Sequence, residues 1–309
     1  MIKKITAIIL ALLVILLPLA GCGTPASAPP SATAPPGRED LPEFNMDNFP
    51  RIDGSTANMP LIAAIYSRIL DISMDEAETL VQTSGGTGAV WRNMMWGGAD
   101  VLIVYEAPEN IREEMEQMRL LQYLEITPLG RDGLVFLVNA QNPVDNLTRE
   151  QLTGIYTGEI TGWAEVGGQE GPIAAFQRNP ESGSQTLLLS LLMQGIEPME
   201  PPMELRPGGM GALIDAVAAF DGAGGAIGFS VYYFANLMYE NPDLKLLSVD
   251  GIAPSAQSIG DGSYPLVNEF YVVIRGSEPE GSPARVLRDW LLTGEGRQLM
   301  LEAGYVPAF

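Results

Sequence analysis

Short apolar runs alternate along the chain with longer segments in which apolar residues recur every three or four positions. The short runs predict β-strands, and the longer segments predict helices. The predicted strands cover 99–106, 133–139, 173–176, 226–229, 244–249 and 268–275. The predicted helices cover 59–70, 109–121, 149–156, 184–193, 210–219, 231–239, 283–292 and 296–303. This alternation predicts an α/β fold with largely parallel sheets flanked by helices.

The first residues of the chain have the layout of a signal peptide. Two lysines precede an apolar run over 5–17, which is shorter than the roughly 20 residues that a spanning helix needs. Cys22 is the only cysteine and follows Leu19-Ala20-Gly21, a sequence that resembles the lipobox of bacterial lipoproteins. We expect a signal peptide over 1–21 and a lipid on Cys22. An ordinary secretory signal is the alternative.

A segment rich in proline, alanine and serine follows Cys22. Pro-rich chain favours an extended geometry of about 3.1 Å per residue. We therefore expect residues 22–44 to form a tether that holds a folded domain away from the membrane. A lipid anchor of this kind would place the protein on the extracytoplasmic face of a cell membrane.

Charge and composition exclude several classes of function. The chain has a formal net charge of −21, which becomes −23 without the two lysines of residues 1–21. This acidity argues against nucleic acid and anionic lipid headgroups as partners. There is no histidine, which excludes a Ser-His-Asp triad, a Cys-His pair and a His-ligated metal site. We expect no enzymatic activity, no cofactor and no metal.

The stretch 177–186 lies between a predicted strand and a predicted helix. It carries Arg178, followed by Ser182, Gly183 and Ser184 at the predicted start of the helix. A fixed cation, hydroxyl donors and the free N–H groups of a helix start together bind an oxyanion. The alternative is a capped helix beside a surface arginine.

Two further segments place glycine and hydroxyl groups at a predicted helix start. Residues 51–57 contain Asp53-Gly54-Ser55-Thr56, and residues 83–88 read Thr83-Ser84-Gly85-Gly86-Thr87-Gly88. Each loop taken alone is more often a helix cap. Three such loops in one chain, one of them with an arginine, favour a shared anion site.

Glu106 stands just beyond the apolar run Val101-Leu102-Ile103-Val104. An ionised carboxylate only accepts hydrogen bonds, so it would favour an oxyanion that carries a proton and repel one that does not. Phosphate near neutral pH carries a proton, whereas sulfate does not. Glu106 would then select for phosphate. The alternative is a solvated glutamate before a helix.

Several runs together resemble the PstS-type substrate-binding proteins of phosphate ABC transporters, in the lipoprotein form. Asp53-Gly54-Ser55-Thr56 resembles the opening motif of that family. Residues 139–168 follow its pattern N-x-x-N-P-V, N-L-T, I-Y-x-G-x-I-x-x-W and V-G-G. Arg178 with Ser182-Gly183-Ser184 fits its R-x-x-x-S-G-T/S motif, and 226–229 and 264–266 fit later segments.

The resemblance implies a type II periplasmic-binding-protein fold in which a hinge closes two lobes over the ligand. One lobe would comprise 45–137 and 264–309, and the other 138–263. The ligand-binding residues implied on this chain are Ser55, Thr56, Thr87, Glu106, Arg178, Ser182, Gly183 and Ser184. The family has an aspartate after a serine where this chain has Tyr105-Glu106, which leaves another oxyanion open as the ligand.

The same resemblance implies a role and partners. The protein would be a monomer that captures phosphate outside the cytoplasm and delivers it to the transmembrane subunits of an ABC permease. The alternative keeps the fold but changes the role, to a surface sensor or a receptor for another oxyanion or small metabolite.

Overall fold

The structure is a computed structural model that describes residues 42–220, 222 and 224–309. The predicted signal peptide, Cys22 and nearly all of the predicted tether lie outside these ranges. Within them, no helix combines the length and the apolar character that a membrane crossing requires. The strands are β1 (Ile52–Gly54), β2 (Val101–Val104), β3 (Leu124–Asn139), β4 (Asn146–Leu147), β5 (Ala174–Ala175), β6 (Ala226–Val231), β7 (Leu244–Leu246), β8 (Ser248–Val249), β9 (Val267–Arg275) and β10 (Val306–Pro307).

The α-helices surround the sheet and match most of the predicted segments. They are α1 (Met59–Leu70), α2 (Met74–Leu80), α3 (Thr87–Met95), α4 (Glu109–Gln117), α5 (Arg149–Thr157), α6 (Gly183–Leu187), α7 (Met210–Ala218), α8 (Ala256–Gly260), α9 (Pro283–Leu291) and α10 (Gly294–Glu302). Helix α6 continues as a π-helical turn over Leu188–Met193, and a second π-helical turn covers Phe234–Met238. The predicted helix over 231–239 is therefore shorter than expected, because β6 runs on to Val231.

Helix α1 shows how local sequence sets these elements. Leu61, Ile65 and Ile69 recur every four residues and are buried against the core. Pro60 stands in the first turn, where its missing N–H group costs no helical hydrogen bond. The helix ends at Asp71, whose left-handed φ of 59° breaks the helical path.

One eight-stranded sheet runs through the described residues in the order β1-β2-β9-β3-β6-β5, with β10 and β7 also paired to β3. The long strand β3 changes partners along its length. Its residues 124–133 pair with β9, and its residues 134–139 pair with β6 and β7. We call β1, β2, β9, β10 and residues 124–133 the first sheet segment, and β5, β6, β7 and residues 134–139 the second.

The sheet is mixed, which confirms the α/β class, but it is more antiparallel than the sequence predicts. Parallel pairing joins β1 to β2, β5 to β6 and β4 to β8, whereas every ladder of β3 and β9 is antiparallel. The sequence pattern missed the first part of β3, since Pro128 and Gly130 interrupt it. The register shifts between these two residues, and a bulge of this kind tolerates proline inside a strand.

Two apolar clusters hold this layout together. The larger one extends through both sheet segments and includes Phe136, Phe229 and Phe270. The smaller one lies beneath α3 and α4, where Trp91 and Met115 pack on β2 and β9. Trp91 also donates a hydrogen bond of 3.0 Å from Nε1 to the carbonyl of Tyr105, just beyond β2. This contact holds the middle of α3 beside the end of β2.

Candidate functional site

The three predicted anion loops converge on one cavity of about 970 Å³. It lies where β1, α3 and the loop after β5 approach each other, and residues 208–210 before and at the start of α7 close another side. Seven of the eight predicted ligand residues line this cavity: Ser55, Thr56, Thr87, Arg178, Ser182, Gly183 and Ser184. Glu106 is not among the lining residues.

The hydroxyl groups of the first two loops lie side by side. Ser55 Oγ and Thr87 Oγ1 share a hydrogen bond of 2.9 Å, and both residues are buried. The backbone N–H of Tyr105 donates to Ser55 Oγ at 3.3 Å. Thr56 follows in a single 3-10 turn. The end of β1 and the start of α3 therefore present two neighbouring hydroxyls to the same space.

Asp53 holds these two loops in place. Its carboxylate accepts hydrogen bonds from Ser84 Oγ at 2.5 Å and from Asn93 Nδ2 at 2.7 Å, one on each side of the start of α3. It also accepts from the N–H of Gly54 at 2.8 Å. The sequence contained Asp53 within a recognised motif, but gave no sign that the side chain turns towards the second loop.

Arg178 is the only arginine in the cavity lining and is 7% exposed. Its Nη2 donates to the carbonyl of Gly208 at 3.3 Å, whereas its Nε and Nη1 atoms are buried without a hydrogen-bond partner. Within the described ranges it forms no salt bridge. Burial lowers the pKa of Arg178 to about 10, so the guanidinium stays charged at neutral pH.

Burying a charged guanidinium is costly when most of its N–H groups lack partners within the protein. Such a group is stable when an anion occupies the adjacent space. The predicted alternative, a surface arginine beside a capped helix, does not describe Arg178.

The hydroxyl groups of the third loop are also not used as helix caps. Ser182 precedes α6, but its side chain accepts no capping hydrogen bond. Its Oγ lies 3.2 Å from Ser184 Oγ instead. The N-terminal boundary residue of α3, Gly86, has no side chain, and Ser55 makes no capping bond either. Helix capping therefore does not account for these hydroxyls, which remain available to a ligand.

Glycine allows the loops to approach closely. A Cβ atom on Gly183 would lie 2.4 Å from Thr87 Oγ1, well inside van der Waals contact. Gly86 has a φ of 94°, which side chains other than glycine rarely adopt. The loop after β5 and the start of α3 are thus in direct contact around the cavity.

Glu106 makes its side-chain contact outside the cavity lining. Its carboxylate accepts a hydrogen bond from Ser190 Oγ in the π-helical turn. The preceding residue, Tyr105, lines the cavity and donates from its hydroxyl to Asp132 at 2.8 Å. The bulky tyrosine takes the place beside the cavity, and the glutamate is directed to the neighbouring helix.

Sequence reasoning missed one charged residue of the site. Glu181 is the one carboxylate among the lining residues, and it is paired with Arg92 rather than with Arg178. Its position inside the R-x-x-x-S-G motif was visible, but its partner is 89 residues away along the chain. Within the described part of the chain, no group of three or more metal-ligating side chains is present.

Known proteins are similar to this chain over most of its length. A model of the PBP superfamily domain matches residues 42–293. The phosphate-binding protein PstS of Bacillus subtilis is 26% identical over 261 residues, which is 83% of this chain and 79% of the relative. The phosphate-binding protein PstS of Borreliella burgdorferi is 25% identical over 275 residues, covering 85% of this chain and 91% of the relative.

Among solved structures, an ABC-type phosphate transport receptor from Vibrio cholerae superposes with a TM-score of 0.60 at 26% identity. The match covers 82% of this chain and 98% of the receptor. The superfamily model covers most of the chain, including every element that lines the cavity. This chain therefore belongs to the PBP superfamily.

Proposed function

We propose that this protein captures phosphate in the cavity described above and delivers it to an ABC permease. The observation that carries the proposal is Arg178, a buried cation in the cavity lining whose Nε and Nη1 nitrogens have no hydrogen-bond partner. Four buried hydroxyl residues surround the same space: Ser55, Thr87, Ser182 and Ser184. Charge-assisted hydrogen bonds from such buried groups to an anion are strong, because the local dielectric constant is low.

The ligand set that we propose comprises Ser55, Thr56, Thr87, Arg178, Ser182, Gly183 and Ser184. Short-range donors of this kind explain how a strongly acidic protein would bind an anion. At physiological salt, the field of distant surface charges is screened beyond about 8 Å, whereas buried donors at contact are screened much less. The relatives named above as phosphate-binding and phosphate transport proteins support phosphate as the oxyanion.

We also propose that the chain closes by moving two lobes, 45–137 with 264–309 and 138–263. The partner change of β3 after Gly133 supports a division near the first boundary. The second boundary lies just before β9, which begins at Val267. The cavity lies between elements of the two sheet segments, so a relative movement of these would open and close it.

The lipid on Cys22, the tether, the cell-membrane location and the monomeric state remain part of the proposal and rest on the sequence. Catalysis is not proposed. Neither Ser182 nor Ser184 is hydrogen-bonded to a carboxylate in the described ranges, so neither has a base that would make it a nucleophile.

A receptor for another oxyanion is the second candidate, and one observation favours it. Glu106, the residue expected to test for a proton on the ligand, is turned towards Ser190. A thermal-shift series with phosphate, arsenate, sulfate and molybdate separates the two, because a bound ligand raises the apparent melting temperature by mass action. Phosphate should give the largest shift. A larger shift with sulfate or molybdate would overturn phosphate as the ligand.

A further inference from the structure

Glu181 joins the two sides of the cavity. It belongs to the loop after β5, in the second sheet segment. Its Oε2 accepts from Arg92 Nη1 at 2.7 Å, and its Oε1 accepts from Arg92 Nη2 at 2.9 Å. Asn110 Nδ2 donates to the same Oε1 at 2.8 Å. Arg92 lies on α3 and Asn110 on α4, which both pack against the first sheet segment.

The backbone reinforces this contact. The N–H of Gly88, in the first turn of α3, donates to the carbonyl of Glu181 at 3.1 Å. A Cβ atom on Gly88 would lie 2.9 Å from Cβ of Glu181, so only glycine permits this approach. The contact therefore combines a bidentate ion pair, an amide hydrogen bond and a backbone hydrogen bond at one point of the cavity wall.

We propose that Glu181, with Arg92 and Asn110, is a latch that holds the cavity closed and sets how long the bound anion stays. The role rests on the proposed function, since a latch matters only where a ligand enters and leaves. As part of the latch, Glu181 affects the affinity for the anion without contacting it directly. Glu181 is in this sense a positioning residue.

The charges of the latch fit this role. Arg92 neutralises the one carboxylate of the cavity lining, so that carboxylate does not cancel the charge of Arg178. The hydrogen bond from Arg92 holds the pKa of Glu181 below its usual range, which keeps the pair ionised at neutral pH. The side chains of Arg92 and Glu181 are 35% and 39% exposed, so water and salt screen the pair. A screened pair of this kind can form and break repeatedly as ligand exchanges.

The test compares the full-length protein with its Glu181→Gln and Arg92→Gln variants. Arg149→Gln is the matched control, because Arg149 pairs with Asp250 and neither residue lines the cavity. Hydrogen exchange of residues 84–96 and 178–187 is measured without ligand. We expect faster exchange in both segments for the two latch variants and no change for the control. Unchanged exchange in Glu181→Gln would overturn the latch, whatever the ligand.

Release of radiolabelled inorganic phosphate is the second measurement. The loss of a partly exposed bidentate pair should speed release by roughly two- to fivefold, with little change in the association rate. The double variant should release no faster than Arg92→Gln alone, since that change already breaks the pair with Glu181 as well as the contact of Arg92 with Glu114. Faster exchange in a protein that binds no phosphate would support the latch and refute the proposed function. Release rates equal to those of the control would refute the latch while leaving phosphate binding intact.

Discussion

Replacing Arg178 by methionine should abolish anion binding and at the same time stabilise the empty protein. The guanidinium is buried with two nitrogens, Nε and Nη1, that lack hydrogen-bond partners, and its pKa falls to about 10. A pKa this far below the ordinary arginine value corresponds to an unfavourable free energy of roughly 3 kcal/mol for burying the charge. Methionine is similar in length and carries no charge, so it removes this cost while retaining much of the packing.

The expected gain is about 1–3 kcal/mol in the free energy of unfolding, since some packing and the hydrogen bond to Gly208 are lost. For a domain of this size that corresponds to a rise in melting temperature of about 2–6 °C in phosphate-free buffer. Differential scanning calorimetry measures the rise, and isothermal titration measures the loss of binding. Arg149→Met is the control, because Arg149 pairs with Asp250 outside the cavity.

The stability difference between Arg178→Met and wild type also has a defined pH dependence. The pKa of Arg178 is lower in the folded than in the unfolded state, so the cost is fully present below pH 10. It is relieved only as the pH rises further, which makes the difference between variant and wild type constant between pH 6 and 9. A variant that melts several degrees lower than wild type, or that binds phosphate as tightly, would refute the reasoning.

Three further predictions follow from other contacts. Asp53→Asn should weaken phosphate binding by roughly tenfold with little change in fold, because Asp53 aligns the two loops through Ser84 and Asn93. Calorimetry measures the affinity, and an unchanged value would show that the loops align without Asp53. Glu106→Gln should leave the ratio of phosphate to sulfate affinity unchanged, since the Glu106 carboxylate is hydrogen-bonded to Ser190. A tenfold change in the ratio would show that Glu106 contributes to ligand selection. Burial raises the pKa of Asp132 to about 6, so its charge destabilises the folded state above that pH and the cost disappears as pH falls towards 4. The free energy of unfolding of Asp132→Asn, measured by denaturant and taken relative to wild type, should therefore be about 2–3 kcal/mol higher at pH 7 than at pH 4. Equal differences at both pH values would contradict the raised pKa of Asp132.

The sequence predicted those elements whose own pattern is strong. Helix α1 has the predicted bounds, because its buried positions recur with helical spacing and a left-handed residue ends it. The first part of β3 was not predicted, because Pro128, Gly130 and the polar pair that follows are typical of a loop. Only the pairing with β9 makes this stretch a strand, and pairing over such a distance along the chain leaves no local signal.

For the candidate site, the sequence likewise predicted the loops but not the directions of their charged side chains. Glycine and hydroxyl residues at helix starts mark the loops, and the three loops do meet in one cavity. The direction of a charged side chain depends on its neighbours in space. Glu106 was expected to face the ligand but is bonded to Ser190, whereas Glu181 was overlooked and lines the cavity. Neither outcome can be deduced from spacing along the chain.

Calorimetric titration with inorganic phosphate measures directly whether the cavity binds this anion. We expect one site per chain with a dissociation constant in the micromolar range or below, and no heat of binding for the Arg178→Met variant. Binding should survive a moderate increase in salt, because the donors are buried. No saturable heat from the wild-type protein, or equal binding by the variant, would contradict the account.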